Sequence, residues 1–400
     1  MENPDHVYAK IARRILPFLI LLFVVAWLDR VNVGFAKLQM SAELGFSEAV
    51  FGFGAGIFYL GYLLFEVPSN LLLAKIGARK TIARITILWG LTSIAMMFVR
   101  SAGAFYALRF LLGAFEAGLY PGVILYLTYW FPAARRTRMT SLFMISVPIA
   151  GILGGPISGW IMSRLDWKWL FFLEGLPSVL MGLLTLAVVV DTPAQATWLS
   201  LEEKALIVVE PAETTSFRHA LRMPRVWLLA FTYFCLVSAN PTLGFFGPTI
   251  IAGLGVKSTS TIGWLSAIPY LIAIAGIVFL RRAALSCALA AIGLIGIGVF
   301  ANTPALAFAS LILGVTGVLS AFAPFWQFPT TMLGGTAAAG GIALINSFGN
   351  LSGWLGPYVV GWLKDTTGTT AAGLYVVAAL ELLAAVMIVA LRRPLKTSSS

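Results

Sequence analysis

The sequence predicts an all-α integral membrane protein with twelve membrane-spanning helices, and three observations lead there. Of its 400 residues, 59% are hydrophobic and 11% charged, whereas a water-soluble chain carries about 25% charged residues. So few charges cannot cover the surface of a globule this size. The apolar residues also lie in unbroken runs of about 20, the length of a spanning helix, rather than in the alternating segments of a barrel. Finally, the basic residues favour alternate gaps between runs. Lys10, Arg13 and Arg14 precede the first run, Lys75, Arg79, Lys80 and Arg84 follow the second, and Arg135, Arg136 and Arg138 follow the fourth. Lys204, Arg218, Arg222 and Arg225 lie in the middle interval, Arg281 and Arg282 after the eighth run, and Arg392, Arg393 and Lys396 after the last. The opposite gaps hold only Lys37, Arg100, Arg164, Lys168, Lys257 and Lys364. This asymmetry predicts a multi-pass protein of the plasma membrane, in a bacterium the inner membrane, with both termini cytoplasmic.

In chain order the expected spans are 15–36, 51–72, 82–99, 104–130, 141–163 and 168–190, then 226–251, 261–280, 283–302, 305–329, 340–362 and 371–391. The first carries Asp29 and Arg30 within an apolar run, the second ends in Phe65-Glu66-Val67-Pro68-Ser69-Asn70, and the third stops at Arg100. Arg109 and Glu116 lie in the fourth, which closes at Phe131-Pro132, and Glu174 lies near the start of the sixth. The longest polar interval, 191–225, follows. It divides the chain into an N-terminal six-helix bundle over 1–190, a cytoplasmic linker and a C-terminal six-helix bundle over 226–400. Within the linker, Leu201 to Leu206 reads as a short surface helix. Gly154-Gly155-Pro156 with Trp160 in the fifth span is echoed by Gly356-Pro357 with Trp362 in the eleventh, as two parallel repeats of six helices require. Gly151, Gly155 and Gly159 form a flat stripe for close helix approach, and Gly349, Gly353 and Gly356 a comparable one.

Several function classes are excluded. The net charge of +11 is accounted for by its topological bias and does not indicate nucleic acid. His6 and His219 are the two histidines and both lie outside the spans, so no metal cluster or Ser/His arrangement forms in the membrane. No Gly-Lys-Ser/Thr phosphate loop is present. Cys235 and Cys287 sit in apolar runs without metal-ligand spacing and read as core packing. The chain is therefore not expected to be an enzyme, nor to hold a metal or cofactor. The first run is long and contains charges, so it is expected to remain as a helix rather than be removed as a leader.

The charges inside the membrane carry the functional reading. A charge near the bilayer centre costs roughly 2.5–3.5 kcal/mol even on the lenient insertion scale, so such groups face a protein interior or a cavity and mark an ion or substrate pathway. The alternative for Asp29 and Arg30 is a structural pair neutralising itself. Arg109 and Glu116 are seven residues apart, about 10.5 Å along one helix face. Each then needs another partner, and Asp29 and Arg30 are the candidates. Two acids and two arginines in one cavity suit coupling: an acid that loses its cation to an anionic substrate binds a proton instead. Tyr59, Tyr62, Trp326, Gln327, Asn346 and Asn350 supply uncharged polar groups, for a pocket or for interhelical hydrogen bonds. Glu66 and Glu174 read as structural, and Glu381 is mid-span without an evident role.

Taken together, Trp27-Leu28-Asp29-Arg30-Val31-Asn32-Val33-Gly34, Phe65-Glu66-Val67-Pro68-Ser69-Asn70 and Arg109 through Gly118 resemble the anion:cation symporter family of the major facilitator superfamily. Tyr129-Trp130-Phe131-Pro132, Phe171-Phe172-Leu173-Glu174-Gly175 and Asn346-Ser347-Phe348-Gly349-Asn350 with Gly356-Pro357 extend the resemblance over nearly the whole chain. It implies two six-helix bundles that rock in alternating access, and proton-coupled symport of a small organic anion such as tartrate or a sugar acid. The proton is then the coupling ion, the lipid bilayer the other partner, and the carrier a monomer. By the same resemblance Arg30 binds the substrate carboxylate, Asp29 and Glu116 carry protons, Arg109 pairs with an acid and helps gating, and Tyr62, Trp326 and Asn346 line the pocket. The loop Asn70 to Arg79 lacks the aspartate usual in the superfamily, and the loop at Arg281-Arg282 is short. The alternatives on the same scaffold are a proton-coupled drug or metabolite antiporter and an aromatic-acid transporter.

Overall fold

A computed structural model describes residues 3–208, 221–332 and 336–392. The part of the expected linker at 209–220, with Arg218 and His219, and the tail with Arg393 and Lys396 lie outside the described residues. All regular structure among the described residues is helical. The helices are α1 (Pro4–Leu44), α2 (Glu48–Ile76), α3 (Ala78–Ala95), α4 (Ala102–Glu116), α5 (Leu119–Trp130), α6 (Ala133–Met144), α7 (Ser146–Arg164), α8 (Trp167–Val188) and α9 (Leu201–Ala205). They continue as α10 (Pro224–Val237), α11 (Ala239–Gly253), α12 (Thr259–Phe279), α13 (Ala283–Val299), α14 (Pro304–Met332), α15 (Thr336–Asn350), α16 (Ser352–Thr367) and α17 (Thr370–Arg392). Ten stretches among the described residues are long and apolar enough to cross a membrane, and α13 is a shorter apolar helix. The remaining span is made by α15 and α16.

Each of the twelve expected spans has its helix, but several boundaries and continuities differ. The first helix runs from Pro4 to Leu44 rather than 15–36, because nothing between Phe18 and Leu44 breaks it; it stops at Gly45, whose φ of +66° favours glycine. The fourth span is broken between α4 and α5, where Ala117 leaves helical geometry and Gly118 takes φ +90°. The eleventh is interrupted at Leu351, where the Ser352 hydroxyl donates to the Gly349 carbonyl at 2.7 Å. That local bond competes with the helical ladder, so the expected stripe Gly349, Gly353 and Gly356 is shared between α15 and α16.

Contacts divide the chain into two compact units. The first comprises Met1–Ala36, Ile57–Gly154 and Arg164–Glu213, the second Lys37–Gly56, Gly155–Ser163 and Thr214–Ser400. In the first unit α3 and α8 lie in close contact because glycines face side chains. A Cβ on Gly90 would stand 2.9 Å from the Ser178 Cβ, and one on Gly175 3.0 Å from the Ser93 Cβ. In a membrane, where no hydrophobic force drives helices together, such close packing contributes much of the association energy. In the second unit Gly155 and Gly159 pack on Gly263 and the Thr259 carbonyl, which is the close approach the stripe predicts. A buried apolar cluster there joins Leu229, Tyr233, Cys235, Cys287, Phe325, Ile345 and Ile388. Both cysteines are free and buried in it.

The start of the linker is fastened to the first unit. Ser200 caps α9, its hydroxyl accepting from the Glu203 amide at 3.0 Å while the Glu203 carboxylate accepts from the Ser200 amide at 2.8 Å, a capping box. The same carboxylate accepts from Lys10 Nζ at 2.6 and 2.8 Å. Trp198 stacks on Trp130 at 5.6 Å. The hydrogen bond from Lys10 holds the Glu203 carboxyl below the usual carboxylate range. A depressed carboxylate contributes stability above its unfolded value and loses it as pH falls through the folded value. The fastening is thus complete at neutral pH and released in acid. Lys10→Ala is expected to speed tryptic cleavage after Lys204 about two- to fivefold, the range of an exposed pair; equal rates in variant and wild type would show that the Trp198 stack alone holds the segment.

Candidate functional site

Asp29 and Arg30 are neighbours on α1, so their side chains leave the helix about 100° apart. Asp29 faces α3 and α8; Arg30 faces α2 and α4. Asp29 is 1% exposed. Its Oδ2 accepts from the Trp89 indole Nε1 at 2.7 Å and from the Ser178 hydroxyl, and its Oδ1 accepts from the Ser93 hydroxyl at 2.8 Å. Trp89 and Ser93 are four residues apart and share one face of α3, while the glycine packing described above brings Ser178 beside them.

Arg30 donates from Nη2 to Glu116 Oε1. Its guanidinium carbon lies 5.1 Å from the Trp27 ring centre, 5.1 Å from Phe58 and 5.6 Å from Tyr62, within cation–π range of all three. The pair is single-pronged: Arg30 Nε and Glu116 Oε2 are buried and make no hydrogen bond. Glu116 is the last residue of α4, where a carboxylate meets the negative end of the helix dipole, so the guanidinium is its principal compensation. Arg109 is fully buried two turns earlier on α4, its guanidinium carbon 5.1 Å from the same Phe58 ring. The α2–α4 contact that assembles this group is backbone on backbone. Gly113 faces the Phe58 carbonyl and Gly61 the Phe110 carbonyl, with no room for a Cβ at either.

The four expected charges therefore stand in two arrangements rather than one. Arg30 and Glu116 pair, whereas Asp29 takes neutral donors in place of an arginine. Asp29 and Arg30 do not neutralise each other as a local pair. Tyr62 is 6% exposed beside Arg30, and Tyr59 8% exposed one turn earlier. Trp326 and Asn346 belong to the second unit. Trp326 sits 4.9 Å from the Tyr233 ring centre and 5.6 Å from Phe325, half-buried, and Asn346 is half-buried on α15. Glu66 and Glu174 are buried within α2 and α8, away from the helix ends on which their structural reading leaned. Glu381 is fully buried.

Sequence reasoning missed Trp89, Ser93, Ser178 and Phe58. Serines and aromatics are common in membrane helices, and the one usable signal was the four-residue spacing of Trp89 and Ser93 beside Gly90. A second omission is Lys37, expected in an external loop but 4% exposed within α1. In the second unit its Nζ pairs with Glu48 at 2.5 Å, and Glu48 also receives Lys364 at 2.6 Å. No group of three or more metal-ligating side chains occurs among the described residues.

A family model described as Major Facilitator Superfamily matches residues 19–357. A protein of Agrobacterium vitis named "Putative tartrate transporter" is 44% identical over 97% of this chain and 95% of its own length. A "Quinolone resistance transporter" of Acinetobacter baumannii is 40% identical over 94% of this chain and 92% of its own. Among solved structures, a D-xylose-proton symporter superposes with a TM-score of 0.76 at 14% identity, over 94% of this chain and 96% of that one. The fold is thus that of major facilitator transporters, twelve spanning helices in two six-helix bundles. With a secondary carrier's charged residues inside the membrane and relatives that are transporters over nearly their whole length, the chain is a multi-pass transporter of a small organic substrate rather than an enzyme, and it belongs to the major facilitator superfamily.

Proposed function

We propose that this transporter is a proton-coupled symporter of a small organic anion, a hydroxylated carboxylate such as tartrate or a sugar acid. The observation that carries this reading is the single-pronged Arg30–Glu116 pair. A guanidinium with an unused Nε–H, ringed by Trp27, Phe58 and Tyr62, is prepared to take a carboxylate bidentately. Once Arg30 turns to the substrate, Glu116 loses its principal cation and binds a proton, so anion and proton load together. Asp29 is the second proton carrier, Arg109 helps gating, and Tyr62, Trp326 and Asn346 orient the substrate. In this reading the bundles span 1–190 and 226–400, joined by 191–225. The carrier works as a monomer in the bacterial inner membrane with both termini in the cytoplasm, and needs no cofactor besides the proton. The name of the 44%-identical relative supports tartrate as the first substrate to try.

Uptake of radiolabelled tartrate and galactonate into proteoliposomes, with the outside acidic, tests this. Accumulation driven by the gradient and lost in Glu116→Gln, while exchange of internal for external anion survives, is the expected result. Failure of either acid to accumulate in the wild type, with anion exchange that is indifferent to pH, would refute symport. The quinolone-resistance relative favours one rival, proton antiport of drugs. That rival requires efflux to survive Arg30→Ala.

A further inference from the structure

We propose that Ser93 is the hydroxyl that lets Asp29 hold a proton, while Trp89 and Ser178 hold its ionised form. The inference rests on the reading of Asp29 as a proton carrier. It follows from which partner can reverse its hydrogen bond at an oxygen that no indole shares. An indole N–H only donates, whereas a serine hydroxyl donates to a carboxylate and, after rotating, accepts from a carboxylic acid. Asp29 Oδ2 already receives two donors, Trp89 Nε1 and the Ser178 hydroxyl, and Oδ1 receives one, the Ser93 hydroxyl at 2.8 Å. Placing the proton on Oδ1 leaves both bonds to Oδ2 intact and asks only that Ser93 turn. Placing it on Oδ2 would meet the indole hydrogen, which cannot turn away.

Ser93 also has somewhere to send its own hydrogen. It stands four residues after Trp89 on α3, where a serine hydroxyl reaches the carbonyl one turn back. The three partners are themselves 0–1% exposed, so water does not substitute for them. The charged groups on the surrounding helices are Arg30 beside Asp29 on α1, Arg109 and Glu116 on α4, and Glu174 on α8, one turn before Ser178. Arg30 is engaged with Glu116. The groups that hydrogen-bond Asp29 directly are therefore the neutral cage rather than an arginine.

The two kinds of partner give opposite signatures. Ser178→Ala and Trp89→Phe each remove a donor to Oδ2 that serves the charged carboxylate more strongly than the neutral acid's carbonyl, so the pH at which Asp29 becomes protonated rises, by about one pH unit. Ser93→Ala removes a partner from both forms. It leaves the midpoint closer to wild type but takes away the acceptor of the acid O–H on Oδ1, so the acid's carbonyl stretch moves to higher wavenumber; Ser93→Thr, which keeps the hydroxyl, restores it. Infrared difference spectra of the purified protein in lipid, titrated with pH and assigned through Asp29→Asn, read both quantities without any substrate. If no titrating carboxyl band disappears in Asp29→Asn, Asp29 does not carry a proton and the underlying reading falls. If that band is present but Ser93→Ala leaves its frequency unchanged, or Ser178→Ala leaves its midpoint unchanged, Asp29 carries a proton without the relay and this proposal alone is overturned.

Discussion

Arg30→Lys is expected to lower tartrate uptake at least about a hundredfold while leaving the protein folded. Lysine keeps the positive charge, so an effect of charge alone would survive. What it loses is the planar fork, which meets a carboxylate through two parallel bonds, and the flat face that stacks on aromatic rings. Arg30 uses both features: one prong on Glu116, and three ring centres within 5.6 Å. A hydrogen bond to a charged group contributes roughly 1.5–3 kcal/mol, and about 2.7 kcal/mol corresponds to a hundredfold. The ammonium still compensates Glu116 at the end of α4, so the elution profile of the detergent-solubilised variant should match the wild type. Uptake within threefold of wild type for both tartrate and galactonate would mean that Arg30 is a structural counter-ion. The substrate carboxylate would then have to be bound elsewhere.

How much of this was legible beforehand follows from the physics of each signal. The spans were readable because apolar length and the bias of Lys and Arg are one-dimensional quantities. The breaks at Gly118 and Leu351 were not, since they lie inside apolar runs and depend on a single φ angle and a single serine hydroxyl. The pairing of Arg30 with Glu116 was among the partners considered, because intramembrane charges are few and must compensate one another. Grouping Asp29 with the arginines was the natural error. Neutral donors leave no charge to count, and adjacency in sequence hides a 100° divergence around the helix. The placement of Lys37 failed for a related reason: a helix that outlasts its apolar run by two turns carries a lysine back into protein. The short helix near Leu201 was legible from composition, whereas its attachment through Glu203 to Lys10, almost two hundred residues earlier, was not.

Glu48→Gln is expected to destabilise the protein by about 3 kcal/mol, the usual result of removing one partner of a buried pair. The Lys37 side chain is 3% exposed, and its ammonium lies 4.5 Å from the Phe246 ring centre, 5.1 Å from Phe51 and 3.3 Å from the Thr249 hydroxyl. Those groups offer weak compensation compared with the Glu48 carboxylate at 2.5 Å. Glutamine keeps the shape and a hydrogen-bonding head, so the substitution isolates the charge. Asp365 continues to accept from the Glu48 and Ala49 amides at 3.0 and 2.8 Å, so the start of α2 remains capped and fraying there cannot account for the loss. The apparent melting temperature in lipid–detergent micelles should fall by several degrees, and adding Lys37→Met should recover most of it, because no buried charge is then left alone. If Glu48→Gln melts with the wild type, Lys37 is already compensated by its rings and hydroxyl. If the double variant melts no higher than the single one, the effect comes from Lys364, whose ammonium shares Glu48 at 2.6 Å and would then be the charge that the carboxylate holds in place.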